Sequence, residues 1–501
     1  MFLQKPKYLL LHLPLQHKQI QLQFNFFVMK NLLIKTLSLS FISLVNLYSL
    51  ECNAQHSPVS DPENKDKWIL NETLSDEFNG TTLDKSKWWI LGENGDYRKK
   101  WKGRAPAQFV DHNVAVENGN LILTSQWEPE FEFIKGQKNN GVFYGGTKEK
   151  ADNSKPITQA CIMSESFFKY GYMEIRSKAA NAPVTSSFWT TGYHSEIDMT
   201  ENFGKLSAEN PYNKPEQLER KYRTNLISWD PQKAKDHKHY KVEDVLDVRV
   251  ADDYHVYGFE WDKDYIKIYF DGKLLRISTR EELEEKDQWR HQFPQELWIN
   301  SEVFEWYGLP NKEDLEQPAD YLIDYVRIWQ KEITPPNFNA LGFEGPFYFQ
   351  GRSMNWWAPN KDHWRMTDDK AASGDLSLCF NYEGDFSDKN YNIFAPYGSL
   401  DLPKGSNEVE FKVWIDKDTD IKKIDLILTN PTTNISFDLS NVKKGKWVKV
   451  SQKFTRNKDS VQDLKNGDRV QIQLKGNTIT SKKALLYIDD IEFKHNKGLA
   501  K

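Results

Sequence analysis

Between residues 68 and 331 the chain is written in short segments that alternate apolar and polar residues and are cut by turns. Residues 120–124 follow Asn118-Gly119, residues 171–178 alternate cleanly, residues 265–270 run into Asp271-Gly272, and residues 321–330 close the set. A side-chain period of two belongs to strands with one buried face. Asn-Gly or Asp-Gly between two such runs is a hairpin signal. Only residues 280–287 read as a short helix. A chain with this many short strands and so little helix is restricted to an all-β sandwich or barrel.

A stiff break, Thr334-Pro335-Pro336-Asn337, ends this region. Beyond it a second set of strands is expected at 408–415, 424–429, 446–454, 469–474 and 484–493. Ahead of both, Lys30 and Lys35 precede the mostly apolar stretch 36–50, and Cys52-Asn53-Ala54 follows. That order reads as a secretory signal cleaved near Ala54, with Met29 as a second start. The expected organisation is an extension and signal over 1–54, a first β-domain over 55–334 and a smaller β-sandwich over 335–501. The mature chain is then expected outside the cytoplasm, secreted or periplasmic or at the cell surface. It would be a monomer with no membrane contact.

Removing residues 1–54 takes away five Lys and one Glu, which moves the formal charge from −5 to −9. An acidic chain lacks the basic footprint of a nucleic-acid binder. Cys161 and Cys379 fall in different expected domains and read as buried thiols rather than a disulfide framework. No Cys/His spacing suits zinc.

The stretch SEIDMTENFG, residues 195–204, places Glu196, Asp198 and Glu201 within six positions. In a regular strand Glu196 and Asp198 share a face and Glu201 takes the other. One extra residue, a β-bulge, restores the parity and turns Glu201 back toward Glu196. Apolar Ile197 and Met199 between the acids argue that the opposite face is core. Two crowded glutamates with an aspartate between them are what unequal acid and nucleophile roles require, since like charges lift one carboxyl.

These acids and their surroundings resemble glycoside hydrolase family 16. The resemblance covers most of 68–331: SDEFNG (75–80), residues 113–123, ITQACIMSESFFKYGYMEIRSKAA (157–180), Ser187-Phe188-Trp189 before the acids, DDYHVYGFEWDKDYIKIYFDGK (252–273) and IDYVRIWQ (323–330). It implies a jelly-roll with a concave substrate cleft, a retaining endo-glycosidase, Glu196 as nucleophile, Asp198 as its assistant and Glu201 as general acid/base. It implies no cofactor for the chemistry.

Residues 101–121, 181–192 and 297–310 look most like the branch acting on red-algal galactans, the β-agarases and β-porphyranases, and less like lichenases or laminarinases. Sugar faces stack on aromatic rings, and Trp101, Trp189 and Trp306 are the candidate platforms. Lys100-Trp101-Lys102-Gly103-Arg104 offers cations beside a ring, and Arg104 is the candidate for a sulfate ester. His194, Asn225 and Glu302 complete the expected substrate contacts. By the same resemblance, the Gly119 backbone and the Asp324 side chain are the expected ligands of a structural calcium. LYIDDIEF (486–493) looks like the last strand of carbohydrate-binding jelly-rolls, and Trp356 and Trp357 would stack on sugar or fill its core. The competing readings keep the enzyme but change its polymer to furcellaran, carrageenan or a β-1,3-glucan, or keep the fold as a binder without catalysis. That last reading would normally show a substituted Glu196 or Glu201, and both are present.

Overall fold

The computed structural model describes residues 57–97, 101–146, 154–210, 215–230, 236, 238–333, 341–344, 348–349, 352–353, 356–360, 362–386, 389–463 and 465–495. The expected signal over 1–54, Lys100 and the break at 334–337 lie outside them. Between Ile69 and Gln330 the chain forms a ten-stranded and a seven-stranded sheet, built almost wholly from antiparallel pairs. The inner faces meet in one core, to which Leu123, Met173, Ile175, Phe259 and Ile323 come from the larger sheet. Phe188, Ile197, Met199, Leu226 and Ile299 come from the smaller. Each of these positions alternates with residues facing the other way, so the period-two pattern becomes the two sides of each sheet. The expected strands at 171–178 and 265–270 form over Gly171–Lys178 and Tyr265–Phe270. The short helix occupies Arg280–Glu285, capped by the Thr279 hydroxyl, which accepts from the Glu282 amide.

The outer face of the larger sheet is not left to water. Trp68 packs edge-on against Tyr172, and Tyr172 against Trp329. Glu174 sits between core residues Met173 and Ile175, so its side chain leaves the core, yet it is fully buried. The Val59 amide and the Tyr325 hydroxyl each donate to its carboxyl at 2.9 Å.

Residues 364–495 make a second sandwich from a five-stranded and a four-stranded sheet with its own core. The separation between the bodies is not clean. Tyr193 and Phe293, both from the first sandwich, are buried in the second core. The Tyr193 hydroxyl donates to the Met366 carbonyl at 2.7 Å, and Arg290 pairs with Asp368 at 3.1 Å. Burying one Phe side chain stabilises by about 1.5–3 kcal/mol relative to leaving it in water. Residues 55–334 alone would therefore expose a sticky patch, a point on which sequence pattern is silent.

Glu174 allows a test of this packing. Burial pushes its carboxyl up to about 7, against the pull of the Val59 and Tyr325 bonds and the Arg327 charge. The folded state then holds a proton that the unfolded chain, with its ordinary carboxyl near 4.3, gives up. Stability from this group is lost as pH rises from about 4.5 to about 7 and is constant above, by at most about 4 kcal/mol. Glu174→Gln removes that slope. The difference in Tm, variant minus wild type, is expected to grow from pH 4.5 to pH 7 and then level off. A difference that shrinks over that window contradicts the assignment.

Candidate active site

The acid strand, Ser195–Phe203, lies between Thr185–Gly192 and Lys221–Ser228 in the smaller sheet. Its register carries the bulge. Trp189 opposes Asp198 while Phe188 opposes Thr200, so Met199 is the extra residue. Glu196 therefore opposes Thr191, Asp198 opposes Trp189 and Glu201 opposes Ser187. These partners alternate on their own strand, so all three acids share one face. Ile197 and Met199 enter the core, with 0% and 1% of their surface exposed.

The next strand extends the rows. Glu296, Trp298 and Asn300 oppose Thr191, Trp189 and Ser187 in turn. Three rungs thus cross the sheet: Glu196–Thr191–Glu296, Asp198–Trp189–Trp298 and Glu201–Ser187–Asn300. They floor a cleft of about 550 Å³, within the usual size of ligand sites, whose walls include Tyr97, Trp101, Arg104, Trp229, Glu302 and Phe304. Trp189 and Trp298 stack with centroids 4.9 Å apart, and the Trp189 indole donates to Asn300 at 2.8 Å. The four residue steps from Thr191 back to Ser187 span roughly 13 Å of strand. Glu196 and Glu201 must lean toward one another over Asp198 to act on one bond.

Electrostatics distinguishes the three acids. Burial, then the charges of Glu201 and Glu196, push Asp198 well above the usual carboxylate range. The hydrogen bond between the two carboxyls favours the proton on Asp198 over Glu196. Burial also raises Glu196; the Trp229 indole N–H, donating at 2.9 Å, and the Asp198 bond draw it back, against the Glu201 charge. Arg223 holds the other end: it donates to the Glu201 backbone carbonyl at 2.9 Å and stands 3.9 Å from its carboxylate. Arg223 is itself fixed by Glu243 at 3.2 Å and by the Tyr307 ring.

Of the residues expected from sequence, Trp101, Arg104, Trp189 and Glu302 line the cleft with the acids. Glu302 receives the Trp101 indole N–H at 2.9 Å, the Asn300 amide at 3.0 Å and the Arg104 Nε at 3.3 Å. Burial raises the Glu302 carboxyl, offset mainly by the Arg104 charge. Arg104 is not a freely solvated loop cation. It is layered against Trp101, Phe304 and Trp306 at 5.5, 4.9 and 5.0 Å, and only its Nε is bonded to a described residue. Trp306 stands at the rim, stacked on Phe304 and still 38% exposed.

Two expected contacts are not among the residues that line the cleft. His194 is the turn residue between the two central strands, at φ +48°. Its ring packs on Tyr193, its carbonyl accepts from the Trp229 amide, and it does not line the cleft. Asn225 does face the acid side, opposite Asp198, but it is buried and off the cleft lining, its amide 3.5 Å from His239. The expected calcium finds a thin donor set. Asp324 pairs with Arg176 at 2.6 Å, so a cation would have to displace the guanidinium. Among the described residues no group of three carboxylate, His or Cys side chains is placed to hold a metal, while calcium takes six to eight oxygens.

Sequence reasoning missed Trp229, Trp298, Asn300 and Arg223. Trp298 and Asn300 were within reach, since they alternate in the strand Gln295–Asn300 and precede Glu302 at intervals of two. Trp229 and Arg223 were not, because only the register of Lys221–Ser228 against the acid strand brings them near the acids.

The sequence profile described as β-porphyranase A–D, GH16 domain, matches residues 68–331. The chain is similar to β-porphyranase D of Zobellia galactanivorans, 27% identical over 311 residues, covering 58% of this chain and 67% of that one. It is also similar to a β-glucanase of Acetivibrio thermocellus, 30% identical over 270 residues, covering 51% and 63%. Among solved structures, porphyranase B from Z. galactanivorans is 26% identical with a TM-score of 0.42, covering 52% of this chain and 92% of that one.

The Trp229 bond favours the ionised form of Glu196, so losing it should make the carboxyl harder to ionise. Trp229→Phe keeps a ring and removes the donor. One hydrogen bond is worth about 1 kcal/mol net, so the acid limb of kcat/KM is expected to move up by about 0.5–1 pH unit. An unmoved limb in the pH–rate profile rejects the role given to this N–H.

Proposed function

The chain belongs to glycoside hydrolase family 16, and on that premise we propose that it is a secreted retaining endo-glycosidase that cuts β-1,4 galactosidic bonds of a sulfated red-algal galactan of the porphyran type. The observation that carries the reading is the bulged strand, which sets Glu196, Asp198 and Glu201 along one open cleft. In this reading Glu196 attacks the anomeric carbon while Glu201 protonates the departing glycosidic oxygen. Glu201, now ionised, takes a proton from the water that releases the sugar from Glu196, which restores both groups and retains the configuration. Asp198 keeps its proton and steadies Glu196 as its charge comes and goes.

For the substrate, two features support a sulfated galactan. The matched profile is that of β-porphyranases. Arg104 presents a guanidinium at the cleft wall, held flat by Trp101, Phe304 and Trp306, with its terminal nitrogens not bonded to any described residue. A planar fork of this kind suits the oxygens of a sulfate ester. Trp189 and Trp298 supply the flat floor that a sugar face covers.

Reducing-end release from porphyran, agar, carrageenan and laminarin tests the substrate, and release from porphyran above the others is expected. Preferred release from laminarin would move the reading to a β-1,3-glucan. Glu196→Gln and Glu201→Gln are each expected to lose at least about a thousandfold in kcat on the preferred polymer, because each blocks one half of the double displacement. Near-normal turnover by Glu196→Gln rejects this mechanism. A charge-assisted contact is worth about 1.5–3 kcal/mol. The ratio of kcat/KM on sulfated over neutral oligosaccharide should therefore fall about tenfold to a hundredfold in Arg104→Ala. An equal loss on both substrates assigns Arg104 to packing with Glu302 instead.

A further inference from the structure

The large hydrophobic side chains exposed beyond about a third include four aromatic rings among the described residues. Two of them, Trp229 and Trp306, stand at the cleft and its rim. The other two, Trp357 at 55% and Tyr397 at 41%, belong to the second sandwich. Their surroundings are ordered by the four-stranded sheet. Trp357 pairs through its backbone with Phe394 at the sheet edge, and Phe394 opposes Gln471, which opposes Ile427. That row reads ring, ring, amide, aliphatic across the outer face. The next row on the same face is Asn392, Gln473 and Asp425. The opposite face, with Tyr391, Ile393, Leu426, Ile472 and Leu474, fills the core.

The outer face is preorganised. Gln471 and Gln473 both donate to the Asn392 side-chain oxygen, at 3.0 and 2.9 Å, which ties the three amides together. Arg469 lies over Phe394 at 4.6 Å and over Tyr397 at 4.0 Å, bracing the two rings at the end of the row. Lys423 and Lys475 flank the buried Asp425, which leaves the face with a surplus of positive charge once Arg469 is counted. Rings stack on the apolar faces of sugars, fixed amides bond hydroxyls, and a positive surplus suits an anionic chain. Trp356, the neighbour of Trp357, points into the core instead, so only one of the two adjacent tryptophans is offered to solvent.

We propose that the outer face of this four-stranded sheet, with Trp357 and Tyr397 at its rings and Asn392, Gln471 and Gln473 at its amides, is a second polysaccharide-binding site that holds the galactan chain while the cleft cuts it. The inference rests on the galactan reading above for the identity of the chain, but not for the existence of the site. Holding polymer at a second site raises the local concentration of bonds near the cleft, an effect that is absent on short soluble substrates.

The test uses the full chain. Native electrophoresis in gels cast with porphyran, with laminarin gels as control, measures affinity in a Glu196→Gln background that leaves the polymer intact. Trp357→Ala and Tyr397→Ala, made separately, are each expected to weaken porphyran retardation about three- to tenfold. In the active enzyme the same two changes should leave hydrolysis of short oligosaccharides within about twofold and slow release from solid algal wall. Unchanged retardation in both variants overturns the site, whatever the cleft does. Loss of short-oligosaccharide hydrolysis in both variants also overturns it, since the rings would then belong to the fold. Failure of the cleft reading shows elsewhere, as no reducing ends from porphyran with the unaltered enzyme.

Discussion

The acid strand has to satisfy two environments at once, and the rest of the molecule is arranged around that demand. Ile197 and Met199 hold the strand onto the sandwich core, while Glu196, Asp198 and Glu201 stand on the other side in the cleft. A strand alternates strictly, so a third acid could join the first two only through an added residue. The bulge at Met199 supplies it. The neighbouring strands then build the cleft in register, because whatever opposes an acid inherits its face.

Packing these carboxyls together under partial burial is costly, and the surroundings offset the cost unevenly. Burial and the neighbouring acids push Asp198 toward its protonated form. Glu196 has an indole N–H and the Asp198 bond; Glu201 has Arg223 nearby, itself neutralised by Glu243. Glu302, deeper in the wall, answers to Arg104 and Trp101. The cleft is therefore a field in which each anion has a separate donor.

Sequence alone went far where periodicity carries information. The all-β class follows from the short alternating segments across 68–331, the bulge and the common face of the three acids from alternation in 195–204, and the structure has all of them. It failed where placement depends on which strands meet. His194 looked like a contact because it adjoins the acids in sequence, yet a turn at positive φ aims it at Tyr193. Trp229 stands one residue past the strand Lys221–Ser228, and ladder pairing delivers its indole to Glu196. Asn225 shows the middle case, on the face of the acids but buried and off the cleft lining.

Tyr193 belongs at once to the turn that begins the acid strand and to the core of the second sandwich. Energy therefore flows between two bodies that a linker would ordinarily insulate. Melting the second sandwich would release the turn, and a strained turn would loosen the second sandwich, so the pair should unfold as one cooperative unit rather than in two steps. For the molecule's history, the joint makes the two bodies hard to shuffle: a recombination event that swapped the second sandwich would also have to supply a new socket for Tyr193 and Phe293. Modular in sequence, the chain is welded at the place where its chemistry begins.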